Sequence, residues 1–172
     1  MRSAVLASLC VLLSAAAAHS QDIDQRMSLK GLPGVYVNTM FQGEDEYSSR
    51  STFTKQQVQT DVELRLRKAG IRVLTKEEME NIVPFPSLIV RVALFRSIHR
   101  DLSDLYAFSI DVNVSQYVRL TNGRNVLAPT WSQSTMGLTG NEHVGELKSY
   151  VSNLVDEFIN DYLAANPTKS KP

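Results

Sequence analysis

The chain has 172 residues, 18 basic and 18 acidic side chains, a formal net charge of zero and one cysteine. Balanced charge gives no reason to expect nucleic acid or anionic membrane as a partner, since both reward clustered Lys and Arg. A lone cysteine excludes a disulfide framework, and the length suits one domain held together by packing.

The first element is a targeting segment. Arg2 gives a short basic start, Ala4 to Ala18 form an apolar run, and small residues follow where a signal peptidase cuts. Residues 1–20 are expected to be a signal peptide cleaved near Ala18 or Ser20, which makes the protein periplasmic or secreted. A membrane helix needs roughly 20 apolar residues. Polar Gln21, Asp22 and Asp24 end the run early, and a retained anchor is the other reading of this segment. Cys10 lies inside the run behind the bulky Leu9, where a lipidation signal needs a small residue, so neither lipid anchoring nor a thiol in the mature chain is expected. An exported chain that manages without disulfides fits a bacterial periplasm better than a eukaryotic secreted module.

Residues 21–32 are polar, lack periodicity and read as a flexible leader that Leu32-Pro33-Gly34 brings into a single domain spanning 33–166. Val35 to Phe41 alternates as a first strand, and 43–52 (GEDEYSSRST) reads as an exposed loop. Thr54 and Gln57 have the spacing of a capping box, with Phe53 and Val58 as its staple, and Gly70 marks the end of that helix. Val58, Val62, Leu66 and Ala69 share one face, while Asp61 with Arg65 and Glu63 with Arg67 sit at ion-pair spacing. Leu64 falls on the far side, as an isolated surface leucine or a second contact surface.

Ile71 to Leu74 reads as a short strand. Thr75 and Glu78 repeat the capping box before a short helix, Lys76 to Ile82, which Pro84-Phe85-Pro86 stops. From Ser87 the period is two: Leu88, Val90, Val92, Leu94 and Ile98 oppose Ile89, Arg91, Ala93 and Phe95, the pattern of a central strand. Tyr106, Phe108, Ile110, Val112 and Val114 then alternate with polar residues, as in an antiparallel strand with one wet face. Thr121-Asn122-Gly123-Arg124 signals a two-residue type I′ hairpin. Its register would set Val118 against Leu127, Val114 against Trp131, Asn113 against Ser132 and Ser115 against Thr130. Pro129 places the last strand, near Val126 to Met136, at an edge. Val144, Leu147, Val151, Leu154, Val155, Phe158 and Tyr162 recur at helical spacing in a closing helix that Asn166-Pro167 ends, before a tail, 167–172, expected to be disordered. Trp131 is expected in the core against this helix. The fold class is α+β: a mixed, mainly antiparallel sheet of about five strands against two long helices, in the order β-α-β-(short α)-β-β-β-α.

No catalytic motif is present: no HExxH, no phosphate-binding glycine loop, no GxSxG and no CxxC. His99 and His143 have neither a carboxylate nor a second histidine at ligand spacing, so no metal or cofactor is expected. The carboxylate groups around Glu44, Asp101 and Asp156 lack the alternating ligands and Gly turn of a calcium loop. Asn113-Val114-Ser115 matches a glycosylation sequon but sits mid-strand. The candidate surface is the wet face of the hairpin, where Asp111, Asn113, Ser115, Thr130, Ser132 and Ser134 would form a platform beside an edge strand able to take a peptide strand or a glycan. The plain alternative is that these groups only pair across the strands.

The order of elements resembles the small exported domain shared by the TolB amino-terminal region, the curli secretion protein CsgG and the outer-membrane activators of peptidoglycan synthases. Leu64 to Leu74 (LRLRKAGIRVL) and Leu120 to Ser132 (LTNGRNVLAPTWS) carry the likeness, and VSNLVDEFINDYLAANP is similar to the ending of a group of uncharacterised bacterial exported proteins. The resemblance implies a non-enzymatic exported domain that binds a protein partner within a cell-envelope complex. A periplasmic small-ligand or glycan binder is the alternative. A hydrolase would need a cleft bringing His99 or His143 beside Asp or Ser.

Overall fold

The computed structural model describes residues 23–43, 53–99, 101 and 104–167. The signal segment, most of the polar loop at 43–52 and the tail from residue 168 lie outside the described residues. Four strands, β1 (Tyr36–Gln42), β2 (Ser87–Arg96), β3 (Leu105–Arg119) and β4 (Asn125–Gly140), form one sheet in that order. β1 runs parallel to β2, and the other two pairings are antiparallel. The mixed, mainly antiparallel sheet matches expectation, with four strands in place of about five. Residues 71–74 make only an isolated bridge, Val73 to Val35. Two bonds make it, from the Val35 N–H to the Arg72 carbonyl and from the Leu74 N–H to the Val35 carbonyl, before Thr75 caps the next helix.

α1 (Lys55–Lys68) starts as its punctuation predicts. The Gln57 N–H donates to Thr54 Oγ1 and the Thr54 N–H to Gln57 Oε1, both at 3.3 Å; a cap of this kind is worth about 1 kcal/mol. Val58, Val62 and Leu66 are buried, and so is Phe53 before the cap. Arg67 pairs with Glu63 at 2.8 Å as expected. The Asp61–Arg65 pair is not made, because Arg65 reaches across to Asp156 at 2.8 Å and Asp61 meets Lys148 at 2.6 Å. α2 (Lys76–Glu80) repeats the capping box and ends at Glu80, two residues short of the expected Ile82, with Asn81 as its C-cap. The Thr75 N–H and the Arg72 guanidinium on Glu78 hold its carboxyl below the usual range.

A 3-10 turn, Asn141–Glu146, leads into α3 (Leu147–Ala165). Val144 is buried in the turn, and Leu147, Val151, Leu154, Val155, Phe158 and Tyr162 form the apolar stripe read from the sequence. Together with α1 this stripe packs on Val37, Leu88, Val90, Val92, Leu94, Ile110, Val112 and Val114, one face of the sheet. Trp131 lies in this core, its ring edge-on to Phe158 at 5.4 Å and its Nε1–H donating to Asp161 at 2.9 Å. Ile98, expected on the same face, is exposed because β2 ends at Arg96 and the Ser97 N–H bonds back to the Leu105 carbonyl.

The stretch expected as a flexible leader differs most from its sequence reading. From residue 23 onward it is docked, with Leu29 and Leu32 buried. The Tyr162 hydroxyl donates to the Leu32 carbonyl at 2.6 Å, Asn166 Nδ2 to the Leu29 carbonyl at 2.9 Å, and Arg26 pairs with Asp161 at 2.7 Å. Backbone groups and two leucines anchor it, and such anchoring leaves no period in the sequence. The chain then enters β1 through Gly34, at φ +148°, where a Cβ would collide with the Arg72 carbonyl.

Candidate functional site

β3 and β4 build the candidate surface, and their register decides which side chains meet there. Gly123 alone takes a positive φ, +82°, while Asn122 does not. The Gly123 N–H bonds to the Leu120 carbonyl at 2.9 Å and the Leu120 N–H to the Arg124 carbonyl at 2.8 Å, so the loop is one residue longer than a type I′ turn. The ladder therefore starts with Arg119 opposite Asn125, and Val118 faces Val126, not Leu127. A bulge at Val114/Ser115 then takes up Thr130 as an extra residue and cancels the slip. Beyond it Val114 faces Trp131 and Asn113 faces Ser132, as the sequence predicts.

The bulge also divides the six predicted site residues. Asp111, Asn113, Ser132 and Ser134 come together on the face turned away from α1 and α3, in the rows Arg91–Asp111–Ser134 and Ile89–Asn113–Ser132. Asp111 accepts from Ser109 Oγ at 3.2 Å, and Asn113 Oδ1 from Ser115 Oγ at 3.2 Å. Ser115 is buried opposite Pro129 instead of Thr130. Next to it the 82–86 segment folds in: the Tyr117 N–H bonds to the Pro84 carbonyl at 2.7 Å and the Phe85 ring meets Tyr117 at 5.3 Å. Thr130 leaves the platform, its hydroxyl taking the Gln116 amide at 2.6 Å while its carbonyl accepts from Ser28 Oγ at 3.1 Å. The platform is thus four residues, and its own hydrogen bonds occupy part of it.

Beyond the polar rows the same face turns apolar. Phe95 is 52% exposed, Ile98 95%, Met136 81% and Leu138 67%. Phe95, Ile98, Leu105, Ala107 and Leu138 line a hollow of about 350 Å³. The sequence reading missed Met136 and Leu138 because it ended the last strand at Met136 and assigned only Thr130, Ser132 and Ser134 of that strand to the wet face. Period two carries the signal: once Ser132 and Ser134 point outward, Met136 and Leu138 must follow.

A second cleft, of about 310 Å³, lies where β4 meets the 3-10 turn and α3, lined by Phe108, Leu138, His143, Glu146, Leu147 and Tyr150. His143, expected to have no carboxylate at ligand spacing, has Glu146 three residues on at 2.8 Å from Nδ1, because the 3-10 turn brings the two together; Glu146 raises the imidazole pKa above its ordinary value, and Glu142 adds to this. Both His143 and His99 are exposed. Among the described residues no group of three His, Cys, Asp or Glu could hold a metal ion, and no helix is long and apolar enough to cross a membrane.

No family model matches the chain, and no curated protein matches it. Among solved structures, a minor lipoprotein from Acinetobacter baumannii is 12% identical, with 77% of this chain and 93% of that chain covered and a TM-score of 0.29. The rare lipoprotein B from Shewanella oneidensis is 14% identical, with 76% and 87% covered and a TM-score of 0.28.

Proposed function

We propose that this protein is a non-enzymatic exported domain that binds a protein partner of the cell envelope through the uncovered face of β2, β3 and β4. One observation carries the reading: Met136 stands in solvent next to the Asp111–Ser134 row, with exposed Phe95 and Leu138 in the row beyond it and exposed Ile98 past the end of β2. Apolar residues rimmed by short polar ones are the composition of an interaction patch. A photo-crosslinking residue at Leu138 is expected to trap an envelope protein in living cells, with none trapped from Arg67 on the solvated side of α1. Equal trapping at both positions, or none at Leu138, would count against the reading.

The cleft beside His143 supports the second reading, a small-ligand or glycan binder. A ligand present at 100 times its dissociation constant adds about 2.7 kcal/mol to stability. A thermal-shift screen of cell-wall fragments that moves the midpoint in wild type but not in His143→Ala would favour it over the first.

A further inference from the structure

The outer edge of β4 carries more than its side chains. The Ser132 N–H leaves the sheet and donates to Gln25 Oε1 of the docked N-terminal segment at 2.9 Å, which fixes the lateral direction of that residue's backbone groups. The β3–β4 register has no break between Trp131 and Gly140, so the backbone groups of Ser134, Met136 and Leu138 point the same way. Among the described residues no backbone or side-chain hydrogen bond is made to these three from outside the sheet. Proteins ordinarily blunt such an edge with charge, proline or a bulge. From 132 to 140 the sequence SQSTMGLTG has no charge and no proline, and the bulge lies earlier, at Thr130.

We infer that β4 pairs antiparallel with β4 of a second copy of this chain, on a two-fold axis at Met136, joining two four-stranded sheets into one of eight strands. The register follows from which groups are free. An axis at Met136 sets Met136 against Met136 and Ser134 against Leu138, so all three free positions on each chain are used. An axis one residue earlier would bring in Ser132, whose N–H Gln25 already holds. A two-fold interface sets residues near the axis against their own copies, so a charge there would meet itself. The uncharged 132–140 edge brings no like charges together across that axis. On the outer face the pairing joins the two Met136 and Leu138 patches, so their exposed apolar surface is removed from water.

This inference rests on the same surface as the proposed function, but the two fail differently. Sedimentation velocity of the purified protein across a hundredfold range of concentration is expected to show a reversible monomer–dimer equilibrium. Met136→Lys, at a position whose side chain already stands in solvent, should leave the circular dichroism unchanged, leave the thermal midpoint unchanged at concentrations where wild type is monomeric, and weaken dimerisation at least tenfold. Met136→Cys should give a disulfide-linked dimer on mild oxidation, because directly opposed hydrogen-bonded residues have Cα atoms about 5.5 Å apart, within disulfide reach. Leu138→Cys alone should not link, whereas a mixture of Leu138→Cys with Ser134→Cys should. A protein that stays monomeric throughout, or that links equally well through Leu64→Cys on α1, overturns the dimer. A trapped envelope partner with a strictly monomeric protein would do the same while leaving the proposed function standing. A dimer in cells that trap no other protein from Leu138 would uphold this inference and overturn the partner reading.

Discussion

β3 and β4 present two faces made by the same backbone under opposite demands. Toward α3 they turn Phe108, Ile110, Val112, Val114 and Trp131, all buried in one cluster. Away from it they turn Ser109, Asp111, Asn113, Ser132 and Ser134, then Met136 and Leu138. On β3 the covered face is apolar from Tyr106 to Val114 because those positions are removed from water, while on β4 it holds buried Trp131 and then the half-buried Gln133, Thr135 and Thr139. The uncovered face changes from polar to apolar partway along, and folding does not ask for that change, since Met136 and Leu138 gain little burial from it. A composition that the fold does not require is where function is to be sought.

Removing a side chain from the covered face should have the largest effect. Phe158 is fully buried, edge-on to Trp131 and in ring contact with Tyr162 at 5.8 Å. Phe158→Ala is expected to cost about 3–5 kcal/mol through lost transfer energy and the cavity left behind. Urea unfolding followed by Trp131 fluorescence would measure it, and a loss under about 1 kcal/mol would mean that α3 is not the main support of the sheet. Leu29→Ala comes next, at about 2–5 kcal/mol for a buried leucine. It asks whether the docked 23–32 segment belongs to the covered layer. Without Leu29 anchored, hydrogen exchange should quicken at Leu32 and at Ser132, whose N–H relies on Gln25. Unchanged exchange at Ser132 would show that the segment can loosen without freeing the β4 edge.

The sequence shows the covered face more fully than the uncovered one, for physical reasons that particular residues illustrate. Capping boxes are local, so Thr54 with Gln57 and Thr75 with Glu78 are readable from four residues each, and the α3 stripe repeats often enough to leave one assignment. Register depends on where single residues are gained or lost. Asn-Gly predicts a tight turn, yet the turn takes one residue more and Thr130 takes it back, two departures that cancel at Val114 and Trp131. Four of the six candidate residues survive this, and Ser115 and Thr130 do not, because they flank the bulge itself. The docked segment was unreadable because its anchors, Leu29, Leu32 and backbone carbonyls held by Tyr162 and Asn166, lie some 130 residues from their partners and follow no period.

The smallest expected effect is on the uncovered face, and it tests the comparison most directly. In an ordinary fold, replacing two large apolar residues by serine lowers stability through lost burial. At Met136 and Leu138 the side chains already stand in solvent, so Met136→Ser combined with Leu138→Ser should move the unfolding free energy by no more than about 0.5 kcal/mol. The measurement belongs at low protein concentration, where self-association cannot contribute by mass action. If the double variant is as stable as wild type when dilute and less stable only when concentrated, the apolar end of this face stabilises contacts between molecules and not the fold of one. A loss of 2 kcal/mol or more in the dilute regime would mean instead that these residues pack against the chain's own sheet, and the two faces would differ in degree alone.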